Sequence, residues 1–312
     1  MTARIRPPDA SALAEAARRL RAGALVAFPT ETVYGLGANA LDASAVERIF
    51  VAKGRPASNP VIVHVESEAA ARGLARRWPA SAARLAEAHW PGPLTLVVER
   101  SDAIPDVVTA GGPTVALRVP AHPVALALLR ACALPLAAPS ANRSESISPT
   151  TAQHVAESLG PWIEDLLVLD GGPCRVGIES TVVDVTGERP VVLRPGMLRL
   201  ENVDERPSHA AATPFAARSP GQMARHYAPG KPLVIIDDAA LARVGRPGDG
   251  VLRLPGSPDQ AATRLYAELH RLDADPAVLR IVVVSPPDAP AWAAIHDRLR
   301  RAASASTGAA SK

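Results

Sequence analysis

The sequence contains 312 residues, of which 47% are apolar and 21% are charged, and its net charge is +3. This length and composition suit one large or two ordinary domains with apolar cores. The small net charge argues against a dedicated nucleic-acid-binding protein. No apolar run approaches the ~20 residues that span a bilayer, and the N-terminus has no signal-peptide core, so we expect a cytoplasmic protein without a membrane segment.

Two residue types are rare enough to be informative. Cys132 and Cys174 are far apart and outside any CxxC spacing, which predicts neither a disulfide framework nor a structural zinc site. Lys53 is one of very few lysines in a chain whose usual cation is arginine. A compact ammonium and a forked guanidinium bind phosphate differently, so Lys53 is either a chance occurrence or a selected ligand.

The predicted elements of the first 200 residues begin with an amphipathic helix at 9–23, opened by Asp9 or Ser11 and closed by Gly23. Strands then outnumber the helices between them in places, which favours a mixed sheet over a doubly wound one. These further elements are a strand at 24–28, a helix at 42–53 stopped by Gly54, a strand at 61–65, two helical stretches within 67–89, strands at 94–99 and 114–120, a helix at 122–132, a strand at 135–140, a helix at 149–158, and strands near 165–170, 180–186 and 191–194.

The remainder of the chain separates into a linker and a small domain. Residues 201–230 lose periodicity and become rich in Pro, Ala and Ser, which predicts a long linker of the kind that often forms a lid. Strands and helices alternate again in 231–302, which is typical of a parallel sheet. We therefore predict a first domain at 1–200, a linker at 201–230, a small α/β domain at 231–302 and a disordered tail at 303–312.

The segment FPTETVYGLG, at 28–37, is unusually rich in polar side chains and follows the first buried strand. A tight turn needs only one or two such residues, so their density predicts a loop that binds a polar ligand. The overlapping GLGANA matches the GxGxxA form of a dinucleotide fingerprint. Its first glycine does not follow the strand directly, however, and no acidic residue ends a second strand about 20 residues later. A nicotinamide-dependent oxidoreductase is therefore disfavoured.

The segment KGRPASNP, at 53–60, places Lys53 and Arg55 beside a helix end, a glycine and Asn59. Such a group can hold a triphosphate, although it lacks the GxxxxGK[ST] pattern of a Walker loop. The alternative is a solvated helix C-terminus, where basic residues are common.

Alternation along the predicted strands puts several polar side chains on one sheet face. In TVALRVP the small Ala116 lies between Thr114 and Arg118 on that face and leaves room for a ligand. Each is individually typical of a half-exposed strand residue, but a purely structural sheet has no need of the whole set. The polar members are Thr114, Arg118, His64, Ser140 and Ser180, with Asn142 just beyond.

Eight segments, in their order along the chain, resemble the threonylcarbamoyl-AMP synthases of the two-domain form. They are FPTETVYGLGANA, KGRPASNPVIVHV, WPGPLTLVV, TVALRVP, APSANRSESISPTTAQHV, GIESTVVDV, LRPG and SPGQMARHYAP. The resemblance covers nearly the whole chain. It implies an α/β (α+β) fold: a YrdC-like twisted mixed sheet with flanking helices, plus a small C-terminal Rossmann-like α/β domain.

The resemblance also implies an activity. Such an enzyme is a nucleotidyltransferase that forms threonylcarbamoyl-AMP and pyrophosphate from L-threonine, bicarbonate and ATP. Its Mg²⁺ is held mainly by the ATP phosphates rather than by protein ligands. The product passes to a separate transferase that modifies a tRNA adenosine next to the anticodon, and weak binding of tRNA itself stays open.

Site residues follow from the matching positions. The resemblance assigns catalysis to Lys53 and Arg55, and it leaves the general base unidentified, with His64 as one candidate. The threonine site would comprise Thr32, His64, Arg118, Ala138 and Ser180. The ATP site would comprise Lys53, Arg55, Asn59, Thr114, Ser140, Asn142, Ser148 and Arg194, closed by His226 or Tyr227.

Two departures and two alternatives remain. Glu145 stands where the family often has glycine, and Gln222 stands where methionine is commoner. A non-catalytic RNA-binding protein would use the same concave basic surface without consuming ATP. A carbamoyltransferase built on this domain would carry additional catalytic and metal-binding modules, and the sequence has no matching histidine cluster.

Overall fold

The computed structural model describes residues 3–201, 203–205 and 226–303. Most of the predicted linker at 201–230 lies outside the described residues. So does the predicted tail at 303–312, apart from its first residue. The domain boundaries given above therefore stay predictions.

The first part of the chain builds one large mixed sheet. Its strands are β1 (Arg4–Arg6), β2 (Val26–Phe28), β3 (Gly35–Asn39), β4 (Ile62–His64), β5 (Leu94–Glu99), β6 (Thr114–Arg118), β7 (Leu136–Ala137), β8 (Leu167–Leu169), β9 (Thr181–Asp184), β10 (Val191–Arg194) and β11 (Asp204–Glu205). The order across the described sheet is β1-β8-β2-β3-β7-β4-β6-β5-β9-β10-β11. Parallel pairs such as β4 with β6 alternate with antiparallel pairs such as β5 with β6, which confirms the prediction of a mixed sheet.

Helices cover both faces of this sheet. They are α1 (Ala10–Arg21), α2 (Ala43–Lys53), α3 (Glu68–Gly73), α4 (Ala80–His89), α5 (Asp106–Thr109), α6 (Pro123–Cys132) and α7 (Ala152–Leu159). The Asp9 carboxylate caps α1 by accepting from the amide of Ala12. Gly54 ends α2 with a φ of 59°, a left-handed conformation that favours glycine. These helix ends confirm the boundaries that the sequence indicates.

One predicted loop is shorter than expected. The polar segment 28–37 was expected to be a loop, but Gly35–Asn39 forms β3, which pairs with β2 on one side and β7 on the other. The loop is thereby reduced to residues 29–34. Backbone hydrogen bonds to two neighbours hold this strand although its glycines have low strand propensity.

The second part of the chain is a small parallel sheet with helices. Its elements are β12 (Leu233–Ile236), α8 (Asp238–Val244), β13 (Asp249–Leu252), α9 (Pro258–Ala274), β14 (Arg280–Val284), a 3₁₀ turn at Pro290–Trp292, and α10 (Ala293–Ala303). The strand order is β12-β14-β13, with both pairs parallel. The predicted alternation of strands and helices is confirmed.

The two parts share an apolar contact. Val33, Ile147 and Ile178 of the first part belong to the same buried cluster as the core of the second part, including Leu265 of α9. The small domain thus packs next to the loop that follows β2 and the segment that precedes β9. Among the described helices, none has the length and apolarity needed to cross a membrane.

Candidate active site

The candidate site lies on the face of the large sheet formed by β4, β6, β5 and β9. Its floor is a small apolar cluster in which Ile62, Ala116 and Val182 are buried together. Ile62 pairs with Ala116 across β4 and β6, and His64 pairs with Arg118 in the same register. Two polar side chains therefore stand side by side at one end of an apolar floor, and the small Ala116 leaves space above it.

A cavity opens above this floor. Its empty volume is about 530 Å³, counted out to its opening to solvent. Segments from distant parts of the sequence converge on it, among them the loop after β2, the loop after β7 and the start of β9. The predicted site residues that line it are Thr32, Arg55, His64, Arg118, Ala138, Ser140, Ser180, Arg194, His226 and Tyr227.

Arg118 is held at one end of the cavity by three acceptors. Its guanidinium donates to a Glu31 carboxylate oxygen at 2.7 Å, to the Thr32 hydroxyl at 2.9 Å and to the Gly92 carbonyl at 3.2 Å. The second Glu31 oxygen accepts from the amide of Ala121 at 3.0 Å. Burial alone would raise the pKa of Glu31, but the Arg118 charge and these hydrogen bonds hold it below its ordinary value. Arg118 therefore has a buried, ionised counter-charge.

Ser180 and Arg194 form a second fixed group. The Ser180 hydroxyl lies 2.7 Å from that of Thr95, which places it firmly on the floor. Arg194 donates to the Ser180 carbonyl at 3.0 Å and to its hydroxyl at 3.1 Å. Burial lowers the pKa of Arg194, although arginine stays protonated at neutral pH.

Arg55 brings another positive charge to the cavity. It donates to the carbonyls of Asn59 at 3.1 Å and Pro60 at 2.8 Å, so its hydrogen bonds within the described chain go to carbonyls and not to a carboxylate. Burial lowers its pKa to about 10, and the Arg194 charge adds to this effect. A buried guanidinium without an acidic partner is costly and is typical of a site that binds an anion.

Lys53 lies behind the cavity. Its ammonium donates to the Ser140 carbonyl at 2.6 Å and to the Asn142 carbonyl, which fixes the loop after β7. Burial lowers the pKa of Lys53 well below its ordinary value, and the charges of Arg55 and Arg143 act in the same direction. Lys53 thus fixes the position of the loop that carries Ser140.

His64 is a neutral group in this setting. Burial, together with the Arg118 charge, lowers its pKa to about 3. Within the described part of the chain its Nδ1 is buried without a hydrogen-bond partner. A histidine with so low a pKa is a poor proton acceptor at neutral pH, which argues against His64 as the general base. A free polar atom in the cavity wall is instead suited to binding a ligand.

His226 and Tyr227 form the roof of the cavity. Their rings lie 4.1 Å apart, and both side chains are buried. Tyr227 has a φ of 63°, which is rare for a bulky residue and typical of functional sites. Among the described residues, the Tyr227 hydroxyl and the His226 Nδ1 have no hydrogen-bond partner. Burial lowers the pKa of His226 to about 3, so this ring is also neutral.

Several predicted residues do not reach the cavity lining. Lys53, Asn59, Asn142 and Ser148 are buried around it, where they bond to neighbouring loops. Thr114, at the start of β6, lines a separate shallow depression on the same sheet. Their predicted contacts with ATP stay predictions.

Two acidic residues of the site were missed by the sequence reasoning. Glu31 and Glu179 are both nearly fully buried, and the cavity lining includes Glu179. Burial alone would raise the pKa of Glu179, but the charges of Arg298 and Arg194 hold it below its ordinary value. Their cationic partners are distant in sequence, so no local pattern marks them. The only available signal was an acid inside an otherwise apolar or hydroxyl-rich stretch.

The two departures from the family pattern have different outcomes. Glu145 has a φ of 69°, which explains why glycine suits this position. Its carbonyl accepts from the amide of Ala228 at 2.8 Å, so the strained loop is tied to the segment that carries Tyr227. Gln222 lies outside the described residues.

Comparison with known proteins assigns this site to a family. Residues 18–196 match the Sua5, YciO and YrdC family model, described as "Telomere recombination". The chain belongs to this family. Residues 196–304 match a second model, described as the C-terminal domain of threonylcarbamoyl-AMP synthase.

Individual relatives agree with the family. The chain is 50% identical over 229 residues to the threonylcarbamoyl-AMP synthase of Pyrococcus abyssi, covering 71% of this chain and 67% of that protein. It is 46% identical over 235 residues to the Bacillus subtilis enzyme of that name, covering 72% and 66%. The matched regions thus span about two thirds of these relatives. The crystal structure of P. abyssi Sua5 complexed with L-threonine superposes with a TM-score of 0.86 at 39% identity and covers 94% of both chains.

Proposed function

We propose that this protein is a threonylcarbamoyl-AMP synthase that converts L-threonine, bicarbonate and ATP into threonylcarbamoyl-AMP and pyrophosphate. One observation carries the proposal: a single cavity joins an arginine that already has a counter-charge, Arg118, to a group of buried cations around Arg55. The first suits the carboxylate of a small zwitterion, and the second suits a polyphosphate. Membership of the family and the threonine bound in the similar P. abyssi structure support the same assignment.

The threonine end is assigned to the floor and the loop after β2. Arg118 would bind the substrate carboxylate, with Thr32 and Ser180 as hydrogen-bonding neighbours. The neutral Nδ1 of His64 is available to the amino or hydroxyl group, and the small Ala138 leaves space for the methyl group. Glu31 lowers the cost of keeping Arg118 charged before threonine binds.

The nucleotide end is assigned to Arg55, Arg194 and Ser140, with His226 and Tyr227 above them. Among the described residues, the carboxylates of Glu31 and Glu179 near the cavity each pair with an arginine. We therefore treat Mg²⁺ as part of the nucleotide substrate, bound through phosphate oxygens. From behind, Lys53 fixes the loop that carries Ser140, and the further predicted contacts of Asn59, Thr114, Asn142 and Ser148 belong to this end.

The reaction brings two anions together. The threonine ammonium first loses a proton to solvent, and the free amine then bonds to the carbon of bicarbonate with loss of water, which gives a carbamate. A carbamate oxygen then attacks the α-phosphorus, the bond from that phosphorus to the bridging oxygen breaks, and pyrophosphate leaves with the electron pair. Two unit charges 4 Å apart repel by roughly 4 kcal/mol at an effective dielectric of about 20, so convergent cations are required.

The chain's own residues contribute position and charge more than bond making. Arg55 and Arg194 stabilise the charge that develops on phosphate, while Arg118 holds the carbamate in line. The roof residues His226 and Tyr227 exclude water, which would hydrolyse both the carbamate and the mixed anhydride. No covalent enzyme intermediate is needed.

The product implies the setting. A mixed anhydride of carbamate and phosphate is an activated acyl donor, so we place the enzyme in the cytoplasm beside a transferase that uses it on tRNA. A bound tRNA on this chain is not required for the first step.

Pyrophosphate release tests the proposal. The full chain is incubated with MgATP, L-threonine and bicarbonate, and each substrate is omitted in turn. We expect release only in the complete mixture. Tight salt-dependent tRNA binding without nucleotide use would favour the RNA-binding alternative, and use of carbamoyl phosphate in place of bicarbonate and threonine would favour a carbamoyltransferase.

A further inference from the structure

The carboxylate of Glu179 links the cavity to the small domain. Arg298, from α10, donates to one carboxylate oxygen at 2.9 Å. Tyr266, from α9, donates its hydroxyl to both oxygens, at 3.0 and 3.2 Å. The Ser148 hydroxyl donates to the second oxygen at 2.6 Å. Two residues of one domain thereby fix an acid that lines the cavity of the other.

The Arg298 guanidinium also reaches two other parts of the nucleotide end. It donates to the carbonyl of Pro195 at 2.8 Å, and Pro195 directly follows Arg194. Its central carbon lies 5.4 Å from the centre of the Tyr227 ring, within cation–π distance. The Arg298 side chain is 0% exposed, yet it is not among the residues that line the cavity. It therefore acts on the site only through its neighbours.

A buried cation of this kind is not needed simply to hold two domains together. Apolar contacts already join them, and a buried ion pair gains little stability over apolar packing because both charges lose their hydration. Apart from the neighbouring Asp297 on α10, Arg298 contacts the carboxylate and carbonyl of Glu179, the turn after Arg194 and the ring of Tyr227. None of its contacts reaches Arg118 or Glu31 at the threonine end.

We propose that Arg298, assisted by Tyr266, is a positioning residue through which the small domain organises the nucleotide end of the cavity. It orients Glu179, fixes the turn after Arg194 and supports the ring of Tyr227. The small domain consequently sets the affinity for ATP and leaves the affinity for threonine nearly unchanged. This proposal rests on the proposed function only in its choice of ATP as the nucleotide.

The test compares direct binding of ATP and of L-threonine by calorimetry in full-length variants. Tyr266→Phe removes one hydroxyl, Arg298→Met removes the charge and Arg298→Lys keeps it. Arg300→Met, on the exposed side of the same helix, is the matched control. We expect roughly tenfold weaker ATP binding in Arg298→Met, an effect about as large as the loss of one charge-assisted hydrogen bond. The loss should be smaller in Tyr266→Phe, and Arg298→Lys should recover part of the affinity. Threonine binding should change less than about twofold in all of them.

Two results would overturn the proposal. One is unchanged ATP affinity in Arg298→Met or Tyr266→Phe while threonine still binds. The other is an equal loss of affinity for both ligands in Tyr266→Phe, which would indicate a general structural role. If Arg298→Met does not fold, Tyr266→Phe decides the matter. Binding is measured apart from turnover, so a wild-type protein that binds ATP without releasing pyrophosphate would contradict the proposed function alone.

Discussion

Arg118 and Glu31 form a buried ion pair with an N to O distance of 2.7 Å, and their side chains are 4% and 2% exposed. At the other end of the cavity, Arg55 donates to carbonyls and Lys53 does the same behind it. The cavity is therefore neutralised where a zwitterion would bind and positive where a polyanion would bind. This asymmetry is the physical basis of the account.

Replacement of Glu31 tests whether its carboxylate is the counter-charge of Arg118. Glu31→Gln leaves the Arg118 charge buried without a counter-charge, so the free energy of unfolding should fall by about 3 kcal/mol. Saturating L-threonine should then raise the melting temperature more in the variant than in the wild type, because the ligand carboxylate replaces the missing one. Thermal unfolding with and without threonine measures both effects. In Glu31→Gln/Arg118→Gln the threonine effect should vanish, and its persistence there would place the ligand elsewhere.

Arg55 is expected to matter for ligand binding much more than for folding. Arg55→Gln should weaken ATP binding at least about tenfold, since a charge-assisted hydrogen bond to phosphate contributes roughly 1.5 to 3 kcal/mol. The free energy of unfolding should change by less than about 1 kcal/mol, because the variant also loses an uncompensated buried charge. Calorimetry and urea denaturation give the two quantities, with Arg72→Gln on α3 as the control. Equal ATP affinity in Arg55→Gln and Arg72→Gln would remove Arg55 from the site.

Gly177 is expected to control the docking of the small domain. It has a φ of 83°, and an added Cβ would lie 2.4 Å from the carbonyl oxygen of Ala262 and 2.5 Å from the Cα of Thr263. Gly172 has a φ of 79° and open space around it, so Gly172→Ala carries the conformational strain without the clash. Gly177→Ala should lower the free energy of unfolding by a further 1 to 3 kcal/mol, roughly the cost of overpacking. Denaturation of both variants measures this difference, and equal losses would mean that α9 does not press on this segment.

Acidification is expected to destabilise the protein through the buried His64 and the half-buried His154 and His270. Burial lowers the pKa of His154 to about 4 and that of His64 to about 3, and the His270 ring stacks on His154 at 3.8 Å. The folded state keeps these rings neutral while the unfolded chain binds protons below about pH 6.5, so stability is present above that pH and is lost as the pH falls.

The histidine effect has a simple measurement. Between pH 7 and pH 5 each such ring should remove on the order of 1 kcal/mol from the free energy of unfolding. His154→Gln should reduce that loss. A loss of the same size in His154→Gln and in the wild type would show that the stacked pair does not titrate on unfolding.

Much of the fold could be predicted because its signals are local. Asp9 and Gly54 mark helix ends through cap chemistry that acts within a few residues. The strand β3 could not be predicted in the same way, because Gly35 and Gly37 have no side-chain preference for a strand and are held by pairing with β2 and β7. The pairing with β7 involves residues about 100 positions away.

The site residues likewise fall into those that a local pattern predicts and those that depend on distant parts of the chain. Arg118 and His64 could be assigned to the ligand-facing side of the sheet because side chains alternate between the two faces along each strand. The resemblance to a family indicated both residues as well. Glu179 could not, since its partners Tyr266 and Arg298 come from the other end of the chain. Lys53 was predicted as a ligand of phosphate, and its bonds to two carbonyls became visible only once the loop after β7 was in place.

In the proposed reaction, one cavity joins a threonine carbamate to the α-phosphate of ATP. Mass spectrometry of the nucleotide product formed from ¹³C-bicarbonate, threonine and ATP tests it most directly. We expect an AMP adduct that carries both threonine and the ¹³C carbon, formed with an equal amount of pyrophosphate and strongly reduced in Arg55→Gln. An adduct that lacks the label, or an equal yield in Arg55→Gln and the wild type, would contradict it.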